Sequence, residues 1–319
     1  MPRDAAPRCG RLGLTPLDSL RSPRPMASLQ TWLRRIDIRL PGGRARAARR
    51  LARRRARHAD RTRFETRVND RPLVFSTEDE YSHSWFYSRY EPGDLHEAPV
   101  TRRIIEALDG ASGFADVGSH LGWYACVAAA CIGQDRVVAF EMDQANLDLL
   151  NRNLELNGLR DLACVHAAIG DRHGEVEYMT SPGRPSQLLS LGVARDETGE
   201  GQVKATVPMI TLDEYFADRD TKPDVFKIDV EGAEMGVLRG AEGLLRDHAR
   251  TLFIEVHPGL MRAFGESYHD LFRWLIDRGF TLERIGEMRG TGSAGPLHPV
   301  SPGARILHHS AMIRATKHA

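Results

Sequence analysis

Phe114-Ala-Asp-Val-Gly-Ser-His-Leu-Gly122 is the stretch on which the fold turns. A short apolar run ends in Asp116, two glycines follow four residues apart, and Trp123-Tyr-Ala-Cys-Val-Ala-Ala-Ala-Cys131 then offers an apolar helix. Strand, tight glycine turn and helix is the order in which open α/β folds aim backbone N–H groups at a nucleotide-like ligand. The same turn also joins strands to helices that bind nothing, so the remainder of the chain decides.

Downstream, strands and helices alternate. Val137–Glu141 is a second buried strand, Asp143 an N-cap, and Leu147, Leu150 and Leu154 mark one face of a helix closed by Asn157-Gly158. Ala163–Ile169 is a third strand. Glu175–Met179 and Val203–Pro208 are short strands flanking a Gly/Pro/Ser-containing loop, Thr180–Gly201. Thr211 caps a short helix through Phe216. Asp224–Val230 is a fourth core strand, and the helix after it has Val237, Leu238, Ala241, Leu244 and Leu245 on one side. Thr251–Val256 is a fifth strand, Ser267 caps a helix ending near Gly279, and Phe280–Ile285 and Arg305–Ile313 complete the set. Five alternations predict an α/β, Rossmann-like domain. Its seven-stranded sheet is mostly parallel with helices on both faces, the last strand is antiparallel, and ligands bind at the carboxyl ends of the strands.

Upstream, a helix is expected over Val100–Leu108, preceded by the aromatic run Tyr81–Tyr90, which reads either as core or as a lid over a ligand. Residues 1–30 are aperiodic and rich in Pro, Arg and Ser, and Met26 is a candidate start. Trp32–Leu40 is patterned, and the very basic Arg44–Arg63 has only a thin apolar stripe. It reads as a solvated arm, or as a weak contact with anionic membrane or polymer. The expected division is a basic, disordered or helical extension over 1–70 and one catalytic domain over 71–319.

The net charge of +1 hides an asymmetry: residues 1–70 carry 19 Arg against 6 acids, and the remainder 25 Lys+Arg against 37 Asp+Glu. An acidic body disfavours a nucleic-acid-reading core. Cys9, Cys126, Cys131 and Cys164 form no CxxC pair or zinc spacing, which fits reduced thiols and a cytoplasmic location. No apolar run reaches the roughly 20 residues needed for a transmembrane segment, and the Arg- and Pro-studded start has no signal-peptide core. The oligomeric state has no sequence signature.

A dinucleotide site wants G-x-G-x-x-G so that a pyrophosphate meets a helix N-terminus. Gly118-Ser-His-Leu-Gly122 lacks that spacing. Glu141 ends the second strand, 25 residues after Asp116, where a carboxylate can accept hydrogen bonds from both ribose hydroxyls. A helix-capping or surface ion-paired role for Glu141 is the competing reading. An acidic strand end without a pyrophosphate turn suits an adenosine that carries no phosphate, and S-adenosylmethionine is such a cofactor.

At this point the chain resembles the FkbM-type methyltransferases, of the class I S-adenosylmethionine-dependent fold. The resemblance is carried by Phe114–Gly122, Ala139-Phe-Glu-Met-Asp143, Asn151–Asn157, Ile210-Thr-Leu-Asp213 and, most specifically, Phe226-Lys-Ile-Asp-Val-Glu-Gly-Ala-Glu234. It runs from about residue 90 to 260 and leaves out the basic arm. It implies that Asp116, Gly118 and Gly122 hold the methionine part of the cofactor, with Ser119 and His120 as cofactor-binding candidates between them. Glu141 would hold the ribose, Met142 beside it would also contact the cofactor, and Ala168, Ile169 and Asp171 would contact the adenine. Lys227, Asp229, Glu231 and Glu234 would face the methyl group and acceptor, with Glu255 and His257 at the fifth strand end. Ser119-His120 departs from the Ala-Asn common in the family.

Methyl transfer from a sulfonium is an in-line displacement whose main needs are alignment and a dry pocket, together worth roughly 7–11 kcal/mol. A hydroxyl acceptor also needs a base. Asp229 is the first candidate, His257 the second and His120 the third, although an acid or His at a strand end can also serve only to cap a helix or satisfy a carbonyl. Lys227, Glu234 and Glu255 are candidate acceptor-binding groups. Glu231 and Glu234 could orient hydroxyls or, with Asp229, bind a divalent cation; no metal is assigned. The expected function is an O-methyltransferase acting on a hydroxyl of a sugar, glycan or secondary metabolite. An N- or nucleic-acid methyltransferase, or a non-catalytic cofactor-binding protein of the same fold, are the alternatives.

Overall fold

A computed structural model describes residues 52–180, 203–290, 292, 294–306 and 309–317. The segment Trp32–Leu40, the first part of the basic stretch and nearly all of the Thr180–Gly201 loop lie outside the described residues. The chain divides between Arg46 and Ala47 into two compact units, and every described residue belongs to the second.

That unit opens with helical residues 52–57 and an antiparallel hairpin of β1 (Arg63–Val68) and β2 (Arg71–Ser76). Asn69 and Asp70, both at positive φ, form a two-residue turn whose twist matches that of the strands. β1 alternates exposed and buried positions, and Phe64 is fully buried, stacked on Phe86 with 4.4 Å between ring centroids. The packed body therefore begins before residue 71. Charge counting smooths over the period-2 alternation in Arg63–Val68, so the basic extension ends sooner than expected. The aromatic run forms α1 (Glu80–Tyr87), capped by Asp79, and α2 (Ala98–Ala107) follows with Pro in its first turn.

The core runs β3 (Phe114–Val117), α3 (Trp123–Ile132), β4 (Val137–Glu141), α4 (Gln144–Leu156), β5 (Ala163–His166), β6 (Ala168–Ile169), β7 (Gly174–Thr180) and β8 (Val203–Ile210). It continues through α5 (Leu212–Phe216), β9 (Val225–Ile228), α6 (Glu234–Arg239), α7 (Glu242–Asp247), β10 (Thr251–Val256), α8 (Pro258–Met261), α9 (Tyr268–Asp277), β11 (Thr281–Ile285), β12 (Leu297–Pro299) and β13 (Ala311–Thr316). The main sheet has the order β12-β11-β13-β10-β9-β3-β4-β5. β5, β4, β3, β9 and β10 are parallel, and β13 runs antiparallel between β10 and β11. The sheet has eight described strands rather than seven because β12 adds an antiparallel edge.

Asp143, Thr211 and Ser267 each cap their helix through the side chain, as read from sequence. Three elements differ from expectation. The third strand breaks after His166, so β5 pairs with β4 while β6 joins β8 in a separate three-stranded sheet. The helix after β9 is interrupted at Gly240 and Ala241. The last strand begins at Ala311 rather than near Arg305, since Ala311–Thr316 supplies the apolar face that β10 and β11 need. α3 is apolar all round because it is buried among the hairpin, α2 and the sheet; α5, α6, α7 and α9 pack on the opposite core. Cys126 is buried, and Cys126, Cys131 and Cys164 are free thiols. Among the described residues no helix is long and apolar enough to cross a membrane. From β3 the chain first builds outward through β4 and β5, then returns to build β9 and β10 on the other side. The crevice between the carboxyl ends of β3 and β9 is thus the switch point where such folds bind ligands.

Candidate active site

The glycine turn follows β3. Gly118 and Gly122 have φ of +79° and +86°, and a Cβ on Gly118 would run into the backbone carbonyl of Asp229. Glycine is required there because β3 and β9 approach backbone to backbone. The turn differs from expectation in one respect. The N–H groups of Gly118 and Ser119 both donate to Phe140 O at 3.0 Å, that of Gly122 donates to Ser119 O, and that of His120 donates to Glu141 Oε2 at 2.7 Å. These donors are spent on β4 and on the turn itself. An anion-binding cradle of backbone N–H groups is therefore missing at those four positions, which fits a ligand without phosphate.

Glu141 is 5% exposed at the end of β4, and its second oxygen accepts from Asp143 N at 2.8 Å. Burial pushes its carboxyl up to about 7 against those N–H bonds. Each oxygen keeps acceptor capacity for a hydroxyl. Asp116 is fully buried, neither of its oxygens has a hydrogen-bond partner, and burial raises it to about 6 while Lys227 opposes the shift. Ser119 Oγ donates to the Asp116 carbonyl at 2.8 Å. The His120 ring meets Tyr81 Oη at 2.5 Å and lies 5.6 Å from Trp85. Burial and Lys227 push His120 down to about 4. The Ser119-His120 departure is thus absorbed by α1, whose aromatics pack against the turn.

Across the crevice, the carboxyl ends of β9 and β10 bring six acidic or basic side chains together. Lys227, 4% exposed, places Nζ 3.0 Å from Asp229 Oδ2 and 5.1 Å from the Tyr124 ring centroid. Burial alone would lower the lysine; Asp229 and Asp116 outweigh it and hold the pKa above the usual range. Asp229 is itself held low: burial raises it, but the charges of Lys227 and His257 prevail. His257 Nδ1 lies 2.8 Å from Glu234 Oε1, and Glu234 is fully buried. Nε2 faces Glu231 at 3.5 Å, Glu255 at 3.6 Å and Asp229 at 3.9 Å. Burial would lower His257; Glu234, Glu231 and Asp229 carry it up to about 10. Burial raises Glu231 to about 8, and it raises Glu255 to about 7 with help from Asp229 and Glu97. Glu231 also has φ +51°, the kind of local strain that clusters at working sites.

Two rim residues had no readable signal. Glu97, at φ +43°, accepts from Tyr124 Oη at 3.0 Å and lies 3.8 Å from Arg289. Arg289, half-exposed, also comes within 3.7 Å of Glu255. Glu97 precedes a Pro-started helix and Arg289 sits in a loop, so neither carries a motif. Other expected residues lie apart from the cluster. Met142 packs with Ala168, Tyr178, Val207 and Met209, whereas Ile169 belongs to the core under the sheet. Asp171 is exposed and pairs with Arg172 at 3.1 Å. A separate open cleft, lined by Phe114, Arg136, Val137 and Pro223, lies at the amino ends of β3 and β4, the end of a parallel sheet away from its ligand crevice.

The residues fit S-adenosylmethionine: a buried carboxylate with spare acceptor capacity on β4, unpartnered Asp116 oxygens on β3, and no free phosphate cradle among the turn donors described. Sheet order and site chemistry together define the class I, S-adenosylmethionine-dependent methyltransferase fold. The family described as methyltransferase FkbM domain matches residues 116–282, just over half the chain. The chain belongs to this family of S-adenosylmethionine-dependent methyltransferases. It is 28% identical over 165 residues to the hexuronic acid methyltransferase AglP of Haloferax volcanii, covering 51% of this chain and 64% of that protein. It is 26% identical over 196 residues to the methyltransferase sdnD of Sordaria araneosa, covering 53% and 73%. A crystal structure of an FkbM methyltransferase from Methylobacillus flagellatus KT covers 64% of this chain and 43% of that one, at 15% identity and a TM-score of 0.38.

Proposed function

We propose that this chain transfers a methyl group from S-adenosylmethionine to a hydroxyl of a sugar, glycan or secondary metabolite. The observation that carries the reading is the cluster of Asp229, Glu231, Glu234, Glu255 and His257 around the carboxyl ends of β9 and β10, across the crevice from Glu141 and the glycine turn. Carboxylates that crowd one another accept hydrogen bonds from a polyol, and a polyol offers several. The acidic body speaks against a polyanionic acceptor, and AglP is named for a hexuronic acid.

The cofactor supplies an electrophilic methyl on a sulfonium; the protein supplies alignment, dryness and a proton acceptor. Asp116, Gly118 and Ser119 would position the methionine end, Glu141 the ribose, and Met142 and Ala168 the base. Asp229, fixed as an anion by Lys227, is suited to orient the acceptor hydroxyl. Glu231, raised to about 8, is matched to take the proton near neutral pH. This moves proton acceptance from Asp229, the first expectation, to Glu231, because a base works best with a pKa close to the working pH. The carboxylates around His257 raise it to about 10, which makes it a poorer match than Glu231 for accepting that proton near neutral pH.

Calorimetric titration with S-adenosylmethionine and S-adenosylhomocysteine, followed by an assay of homocysteine-product release over a panel of sugars and polyols, tests the reading. Cofactor binding with turnover on a hydroxyl acceptor is expected. A folded chain that binds neither cofactor form would sink it, and turnover only on amines or RNA would replace the acceptor class.

A further inference from the structure

We infer that Asp229, Glu255 and His257 form a binding site for one divalent metal ion, of the manganese type, at the carboxyl ends of β9 and β10. The inference deepens the methyltransferase reading of the same site, but it stands on metal binding, which is measured without turnover.

The first ground is spacing. One donor atom from each of the three residues lies within 4.8 Å of the other two. His257 Nε2 stands 3.6 Å from Glu255 Oε1 and 3.9 Å from Asp229 Oδ1, with Glu231 Oε2 at 3.5 Å. These separations are too long for good hydrogen bonds. Bonds of about 2.0–2.2 Å from an ion to imidazole and carboxylate donors would place neighbouring donors about 3–4 Å apart.

The second ground is the state of the donors. The His257 side chain is only 9% exposed, its Nδ1 is engaged by fully buried Glu234, and Nε2, aimed into the cluster, makes no hydrogen bond among the described residues. A carboxylate on one ring nitrogen is the arrangement that orients a histidine so that the other nitrogen can ligate a metal. Asp229 Oδ2 is taken by Lys227, whereas Asp229 Oδ1 and Glu231 Oε2, two of the three oxygens that face Nε2, are buried and lack any hydrogen-bond partner. Donor atoms of His257, Asp229 and Glu255 thus converge on one volume, with Glu231 Oε2 beside it.

The third ground is donor chemistry. Two carboxylates with one imidazole and no thiolate suit a hard to borderline divalent ion such as Mn2+ and give soft ions such as Cu+ no thiolate to bind. Three protein ligands leave positions open for an acceptor oxygen, with Glu231 beside them. The same atoms could instead be held together by a proton on Nε2, so the test must separate the two.

The full-length chain, stripped with chelator and desalted, is titrated with Mn2+ alone and free ion is followed by electron paramagnetic resonance. One equivalent should bind and be displaced by competing Zn2+ or Mg2+. Glu255→Gln and Asp229→Asn should each weaken binding tenfold or more, and Glu234→Gln should weaken it through the orientation of His257. Calorimetry with S-adenosylhomocysteine on the same samples reports that each variant is folded and reads the cofactor site separately. A chain that binds S-adenosylhomocysteine but leaves Mn2+ free at millimolar concentration overturns the metal site, as does equal Mn2+ binding by wild type and Glu255→Gln. Mn2+ binding without cofactor binding keeps the metal site and removes the methyltransferase reading.

Discussion

Glu231 combines a left-handed backbone, a carboxyl with one buried oxygen and a raised pKa of about 8, and this combination gives it two measurable signatures. As a base it must be ionised, so in metal-free protein kcat should rise with pH through about 8 and level off above. Glu231→Gln should lower kcat by about 10²–10⁴-fold and remove that limb. In stability the sign is opposite. The folded pKa lies above the unfolded value near 4.3, so the contribution of Glu231 is fully present below pH 4.3 and is lost as pH rises through 8. Denaturant unfolding at pH 5 and pH 9 should therefore show Glu231→Gln gaining on wild type at the higher pH. Gly118 tests the other wall of the crevice. An added Cβ meets the Asp229 carbonyl, a backbone atom that cannot swing away, at a φ that side chains resist. Gly118→Ala should cost more than about 1 kcal/mol and abolish S-adenosylhomocysteine binding by calorimetry.

Between elements, Asn153 of α4 and Asn157, which caps its C-terminus, do work that helix propensity does not advertise. Asn153 Oδ1 accepts from Ser76 N at 2.8 Å and its Nδ2 donates to Leu121 O at 2.8 Å, so one amide ties the β2 edge to the glycine turn. Asn157 pairs with Val74 through both N–H and C=O, at 2.9 and 2.7 Å, like an added strand. Asn153→Ala leaves a buried N–H and C=O unpaired and should cost about 2–4 kcal/mol in denaturant unfolding. It should also weaken cofactor affinity several-fold, because Leu121 lies in the turn. The sequence already singled out Asn151–Asn157, but only as part of a resemblance, since a side chain that staples two distant backbones has no local period. Legibility divides along that line. Buried parallel strands such as β3, β4, β9 and β10 announced themselves as apolar runs, and caps such as Asp143 and Thr211 as polar residues before a periodic segment. The turn donors went to β4 instead of a ligand, β13 started six residues late, and Arg289 came to the site from a loop. Each of those depends on what lies opposite in space, which a linear pattern does not encode.

Across the whole molecule, charge and packing place the functional boundary at different residues. The excess of Arg runs through residue 70, yet Phe64 is buried among Phe86, Tyr87 and Trp123, and His58 pairs with Glu91 at 2.6 Å. A boundary drawn on charge would cut through the hairpin that Asn153 and Asn157 hold. Two truncations separate the roles. Removing residues 1–46, the first compact unit, should leave Tm, S-adenosylhomocysteine affinity and KM for a small hydroxyl acceptor within about twofold of the full chain. It should also lower retention on anionic vesicles or heparin, since it removes 10 Arg, the majority of the 19 in residues 1–70. Removing residues 1–70 deletes β1 and its buried Phe64, Thr66 and Val68, a core loss of the kind that costs about 3–5 kcal/mol for one aromatic alone. That chain should melt well below the full one or fail to fold. If the shorter truncation also lost turnover on a small acceptor, the basic arm would be part of the catalytic unit, not an attachment to it.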